Sequence, residues 1–140
     1  MAYPLTLTQA IAVVVYVAVK VEEGFTDFIS TRELAAALGI APPTATKIVQ
    51  SLARAGLIET REGARGGIRL ARPSERITLL DVLRASEQER PLFRTDIDHA
   101  LPGGRPDVIR RRVADNLRRA EEAMKASLAG TTIADLHRGS

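Results

Sequence analysis

The stretch STRELAAALGIAPPTATKIVQSLARAG, residues 30–56, decides the fold. Ser30, Thr31, Arg32 and Glu33 carry the spacing of a capping box, in which the Ser30 hydroxyl and the Glu33 carboxylate satisfy opposing free amides. A short helix then runs to Leu38 and stops at Gly39, which accepts the left-handed conformation of a helix end. Pro42 suits the first turn of a second helix, where a missing N–H costs nothing. That helix continues to Ala55 and ends at Gly56. Two short helices joined by a tight turn containing glycine form a helix-turn-helix unit.

The second helix has two distinct faces. Ala45, Ile48, Val49 and Leu52 recur at helical spacing and predict its buried stripe. Pro43, Thr46, Lys47, Gln50 and Arg54 recur at the same spacing on the opposite face, with Thr44 and Ser51 at its edge. Alone, such a face reads more readily as solvated surface; the adjoining capped helix, turn and basic hairpin reverse that reading. A DNA major groove about 12 Å wide admits one helix, whose first residues reach base edges. There Thr can meet a thymine methyl, Gln can pair with adenine, and Lys can reach guanine or a phosphate.

Downstream, residues 57–60 and 68–71 read as two short strands around the basic, glycine-rich tip Arg61-Glu62-Gly63-Ala64-Arg65-Gly66-Gly67. Glycines let backbone approach a phosphate rail, and arginine is favoured in a narrow minor groove. Arg61 and Arg65 are the candidates, against the plainer reading of a solvated turn. Ser30, Thr31 and Arg32, at a helix start, can add phosphate contacts. Thr78 and Asp81 are spaced as a capping pair for a helix over 78–86.

Upstream, residues 7–20 are apolar almost all round and rich in β-branched residues, which fits a buried strand as well as a helix. Thr8 as a cap and the unbroken length favour the helix. The apolar run 11–21 is shorter than the roughly 20 residues a bilayer demands, and no signal-peptide pattern precedes it. The expected location is the cytoplasm, with no membrane partner.

Residues 87–105 read as an irregular segment containing Pro91, Pro102, Gly103 and Gly104. Pro106 then opens a long helix of about twenty residues to Leu128. Ile109, Val113, Leu117, Ala120, Met124 and Leu128 make a continuous apolar seam along it. A second copy of the chain is the expected cover, two-fold dimers being the commonest assembly. The division is therefore 1–86 as a DNA-binding unit, 87–105 as a linker or sensor-position segment, and 106–140 as dimerisation helix and tail. The fold class is mainly α with a small β-hairpin wing: a winged helix-turn-helix plus a long C-terminal dimerisation helix.

Composition agrees. Residues 43–76 hold seven Lys/Arg against three Glu, a local +4, whereas residues 1–42 hold two against four, or −2. The net charge of +3 is thus concentrated where the hairpin and second helix lie. Cysteine is absent, which removes disulfides and thiol chemistry. No nucleophile elbow, P-loop or metalloprotease motif is present, and the two histidines, His99 and His137, stand apart. Neither catalytic residues, nor a metal site, nor a cofactor is expected.

In order along the chain, Leu34-Ala35, Leu38-Gly39-Ile40, Ile48-Val49, Leu52, Ala55-Gly56-Leu57-Ile58, the Gly66-Gly67 wing, Leu70-Ala71-Arg72-Pro73 and Ile77-Thr78-Leu79-Leu80-Asp81-Val82 resemble the Rrf-two family. This is the winged-helix family of the iron–sulfur cluster regulator and the nitrite-sensitive repressor. The match is close over about residues 5–85 and follows by pattern in the final helix. The resemblance implies a homodimeric transcriptional regulator, a repressor by expectation, on a palindromic site in double-stranded DNA. It places the second helix of the motif in the major groove, with Pro43, Thr44, Thr46 and Lys47 toward the bases, and the wing in the minor groove.

Three departures qualify it. Glu62 stands where the wing usually carries Arg, so the groove contact shifts towards Arg65 at the tip. Ala41 stands where a Ser cap is common. The segment 87–105, where better-known members bind a cluster through three cysteines, holds His99 and no Cys, which excludes a cluster of that type. The signal is then something else, such as a small-molecule effector, or none. The competing readings are a regulator of another winged-helix family and a winged-helix protein-interaction module without DNA function.

Overall fold

The apolar, β-branched N-terminal run that fits strand or helix forms the 20-residue helix α1 (Tyr3–Glu22). A computed structural model describes residues 3–24, 27–87, 90–93 and 106–139 of the chain. The helix begins before Thr8, which lies inside it rather than capping it. Ala10, Val13, Val14, Val17 and Ala18 are sealed from solvent. By length and hydropathy, residues 5–22 could also cross a membrane. The extra turns overturn the expectation that the run is too short, but the buried stripe gives its hydrophobicity a use inside the protein. Each fully buried Val side chain contributes roughly 1.5–3 kcal/mol, which makes α1 a core pillar.

Around α1 pack α2 (Thr31–Leu38), α3 (Pro42–Arg54), α4 (Leu79–Glu87), the hairpin β1 (Ile58–Arg61) and β2 (Gly67–Leu70), and α6 (Ile133–Arg138). The long helix α5 (Pro106–Ala129) runs beside α4. Leu34 and Leu52 bring α2 and α3 into one core with Leu57, Ile68 and Ile77. The caps follow the sequence closely. Ser30 Oγ accepts from the Glu33 amide at 3.0 Å, although the reciprocal bond from the Ser30 amide to the Glu33 carboxylate is not made among the described residues. Gly39 takes φ +66° and ends α2. Thr78 and Asp81 form both halves of their box, at 3.1 and 3.0 Å.

The two strands are antiparallel, with Ile58 opposite Leu70, Glu59 opposite Arg69, Thr60 opposite Ile68 and Arg61 opposite Gly67. They sit one residue away from the expected limits, and a bond from the Ala71 amide to the Leu57 carbonyl carries the pairing outward. Ile29, just before α2, adds to the sheet: it exchanges backbone hydrogen bonds with Ile68 at 2.9 and 2.7 Å. Gly67 makes this approach possible. Its φ is +141°, and a Cβ there would meet the Ile29 carbonyl oxygen at 2.4 Å.

Beyond α5 the chain does not end in an irregular tail. Thr132 and Asp135 form a capping box that starts α6, and the Ile133 amide donates to the Ile77 carbonyl at 2.8 Å. Ile133 is fully buried. Glu22, at the end of α1, gathers this return. Arg138 donates to its carboxylate at 2.8 Å and also pairs with Glu75. His137 Nε2 lies 3.0 Å from the same Glu22 oxygen without making a hydrogen bond to it. Burial opposes ionisation of Glu22, but the Ser74 hydroxyl, Arg138 and His137 outweigh it and hold the carboxyl below its ordinary range.

Two outcomes are expected. A depressed carboxyl stabilises the folded chain above the ordinary glutamate value of 4.5, and that stability is lost as pH falls through the folded value. Glu22→Gln should therefore lower Tm at neutral pH, with the gap to wild type closing below pH 4.5; a gap independent of pH would refute the stabilising role of the Glu22 carboxylate. Gly67→Ala should cost roughly 1–3 kcal/mol from backbone strain alone, before the clash with Ile29. An unchanged urea midpoint for that variant would show that the wing does not need the glycine.

Candidate nucleic-acid interface

The candidate surface begins at α3, whose stripe of Ala45, Ile48, Val49 and Leu52 is buried as its spacing requires. Burying that stripe forces Pro43, Thr44, Thr46, Lys47, Gln50 and Arg54 outward, and all six are exposed. The helix carries no side-chain cap at Ala41. That absence costs little, because Pro42 and Pro43 occupy the first two helical positions and have no N–H to satisfy. The same prolines leave few free amides for a phosphate at this helix start, so contacts from α3 must come from side chains. Thr46 is partly committed: its hydroxyl donates to the Pro42 carbonyl at 3.0 Å, which leaves its methyl and an acceptor lone pair to face outward. Arg54 sits in the last turn, where a cation complements the helix dipole.

The wing lies against the start of α2 rather than standing alone. The Ile29–Ile68 bridge joins Ser30, Thr31 and Arg32 to the hairpin that carries Arg61 and Arg65. Ser30 and Arg32 are exposed and Thr31 half-buried. Arg61 ends β1 and Arg65 lies at the tip, both exposed. Thus three segments separated in sequence, 30–32, 43–54 and 61–65, are positioned by one sheet and one buried stripe.

Phe28, Thr6 and Gln9 escaped the sequence reading. Phe28 lies under two guanidinium groups, Arg61 at 4.8 Å and Arg69 at 4.7 Å from the ring centroid. Arg69 also pairs with Glu59, its cross-strand neighbour. Strand alternation places Glu59 and Arg61 on one face of the hairpin. Nothing in sequence brings residue 28 over that face, because the link is the non-local Ile29–Ile68 pairing. The floor of α3 also meets α1: Thr6 and Gln9 join Thr44, Lys47 and Ser51 around a cleft of about 200 Å³.

The second candidate surface is the seam of α5. Ile109, Leu117, Met124 and Leu128 are half-buried, while Ala120 is exposed and Val113 is 37% exposed. No described side chain of this 24-residue helix is fully buried. Met124 faces Leu83 and Leu92 across a cavity of about 230 Å³ between α4 and α5. Glu121 anchors the chain beyond α4 there, accepting from the Leu92 amide and pairing with Lys125 at 3.3 Å. Burial opposes its ionised form, but those partners outweigh it and hold its carboxyl below the usual range. His99 and most of segment 87–105 lie outside the described residues.

The chain matches the family described as "Rrf2: Iron-dependent Transcriptional regulator" over residues 6–139. The HTH-type transcriptional regulator NsrR of Geobacillus kaustophilus is 36% identical over 105 residues, 75% of this chain and 70% of that protein. Protein aau3 of Rhizobium meliloti is 49% identical over 55 residues; the match takes in 39% of this chain and only 36% of aau3's own length. The structure of CymR, described as the global cysteine regulator of B. subtilis, superposes with a TM-score of 0.68 at 23% identity, covering 96% of this chain and 95% of that one. That likeness shows the shared fold. NsrR and CymR are both described as regulators.

The iron dependence in the family's description does not carry over as a cluster of the cysteine-ligated type. The chain has no cysteine, and among the described residues no three His, Asp or Glu side chains gather as a metal site. The family match spans the helix-turn-helix, the hairpin and the long helix α5, and the chain belongs to the Rrf2 family of winged-helix, DNA-binding transcriptional regulators as a member without cysteine.

Proposed function

We propose that the protein is a cytoplasmic homodimeric repressor that binds a palindromic operator with two copies of the α3–wing surface. The observation that carries this reading is the exposed face of α3 set beside the arginine wing by the Ile29–Ile68 bridge. In it, α3 enters the major groove. Pro43, Thr44 and the Thr46 methyl meet base edges and thymine methyls, Lys47 reaches guanine, and Gln50 reaches adenine. Arg54 and residues 30–32 hold phosphates, which fixes register without reading sequence. Arg61 and Arg65 serve the minor groove or its phosphate rails.

The half-covered seam of α5 supports the dimer. A helix with an apolar row and no fully buried side chain among its described residues has paid its ordering entropy for little burial within its own chain. A second copy supplies the missing contact and sets the half-site spacing that a palindrome matches. With no cysteine, the regulatory signal of this member is one that needs no thiolate, such as a small molecule.

Selection of binding sites from genomic fragments with the purified chain tests the reading, and alanine variants then apportion it. Loss of Thr44, Thr46 or Lys47 should cost roughly 1–3 kcal/mol each on the selected site and less on scrambled duplex. Loss of a phosphate-bound arginine should weaken all duplexes alike and flatten the salt dependence by about one unit of slope. Unchanged affinity and preference across Thr44, Thr46, Lys47, Arg61 and Arg65 would transfer the surface to a protein partner. Val113→Asp separates the dimer from the fold, because the side chain is 37% exposed in one copy and buried in the proposed pair. Monomer in light scattering with helicity retained is expected, at a cost of several kcal/mol to association; an intact dimer would refute the seam.

A further inference from the structure

We infer that Phe28 is a positioning residue for DNA binding: its ring is a shelf that holds the Arg61 guanidinium in place at the root of the wing. The inference rests on the DNA-binding reading of the wing. Its basis is the stacking of Arg61 and Arg69 on one half-buried ring, at 4.8 and 4.7 Å from the centroid.

The two arginines are not equivalent. Arg69 faces Glu59 directly across the hairpin and pairs with it, so its charge is balanced on the spot. Arg61 faces Gly67, which has no side chain, and among the described residues no carboxylate pairs with it. Its contact with Phe28 therefore holds the cation without neutralising it. Arginine packs well on an aromatic face and keeps the N–H donors in its own guanidinium plane free for other partners. A long side chain fixed in this way has less rotamer freedom to lose when it meets a phosphate or groove. Arg65 at the tip is favoured by reach, whereas Arg61 is favoured by preorganisation.

The geometry that places Phe28 is also the geometry that builds the wing. Ile29 pairs with Ile68, and Gly67 lets the two backbones close. Phe28 is thereby held by backbone hydrogen bonds one residue away. The shelf is coupled to the first turn of α2 as well, since Ser30 follows directly as the cap.

The experiment titrates full-length wild type, Phe28→Leu, Phe28→Tyr, Arg61→Ala and the Phe28→Leu/Arg61→Ala double variant. The probes are a fluorescent duplex from the genomic selection and a scrambled duplex, each at several salt concentrations. Phe28→Leu should weaken binding about two- to five-fold, the size of an exposed cation–π contact. Phe28→Tyr, which keeps the ring, should bind like wild type. In the Arg61→Ala background Phe28→Leu should add nothing, because the ring acts through that arginine. A Phe28→Leu protein that binds as wild type does, or a loss that persists in full without Arg61, overturns the shelf while leaving DNA binding intact. Wild type that binds neither duplex in a salt-dependent way overturns the DNA reading and the shelf with it. Tyr-level loss equal to that of Leu also overturns it, and this comparison holds even if Leu disturbs folding.

Discussion

Burial of the α1 stripe is the constraint on which the other elements depend. Val13, Val14 and Val17 are fully enclosed, and α3, α4, the hairpin and α6 all pack against that helix. The chain has no Trp and only 4% aromatic residues, so its core relies on many small aliphatic contacts rather than a few large ones. An apolar helix of 20 residues serves such a core well, since it offers apolar side chains to several neighbouring elements. Once α1 is enclosed, the polar face of α3 has only one direction left.

The same core couples the wing to the helix-turn-helix. Ile29 and Ile68 are buried side by side in sequence-distant segments, and their backbones bond to each other. A disturbance at the wing root therefore reaches the cap of α2 through one residue. The return of the chain at Ile133 has a comparable effect at the other end. Its amide bonds Ile77, and Leu79 at the start of α4 bonds Thr131, so the end of α5 is tied to the DNA-binding half by backbone contacts. Movement of α5 would be transmitted directly to α4 and, through α6 and Glu22, to α1.

Elements set by local signals were legible in the sequence. The Ser30 cap, the Gly39 stop, Pro42 at a helix start, the buried stripe of α3 and the Thr78–Asp81 box depend on residues within four positions of one another, and each stands where its spacing put it. Features made by distant segments were not legible. The seating of Phe28 under Arg61 depends on a strand pairing across about forty residues, and the strand limits lie one residue nearer the turn than expected while the pairing keeps the register those strands imply. The helix α6 is a different kind of miss. Thr132 and Asp135 spell the same capping signal as Thr78 and Asp81, but six residues are too few to show a period.

The absence of cysteine shifts how the region after α4 is held. Where a cluster could tie that segment to the fold by metal–thiolate bonds, the described part is tied here by Glu121, through the Leu92 amide and Lys125. Hydrogen bonds of this kind are individually weak compared with metal ligation and depend on a carboxylate kept ionised. Glu121 is kept so by its partners, on the same helix whose apolar seam stands half-open. The tie after α4 and the proposed dimer seam therefore share one rigid element. A ligand or partner that altered either would act on α5 first, and through the Thr131–Leu79 bond on the helix that packs against α3.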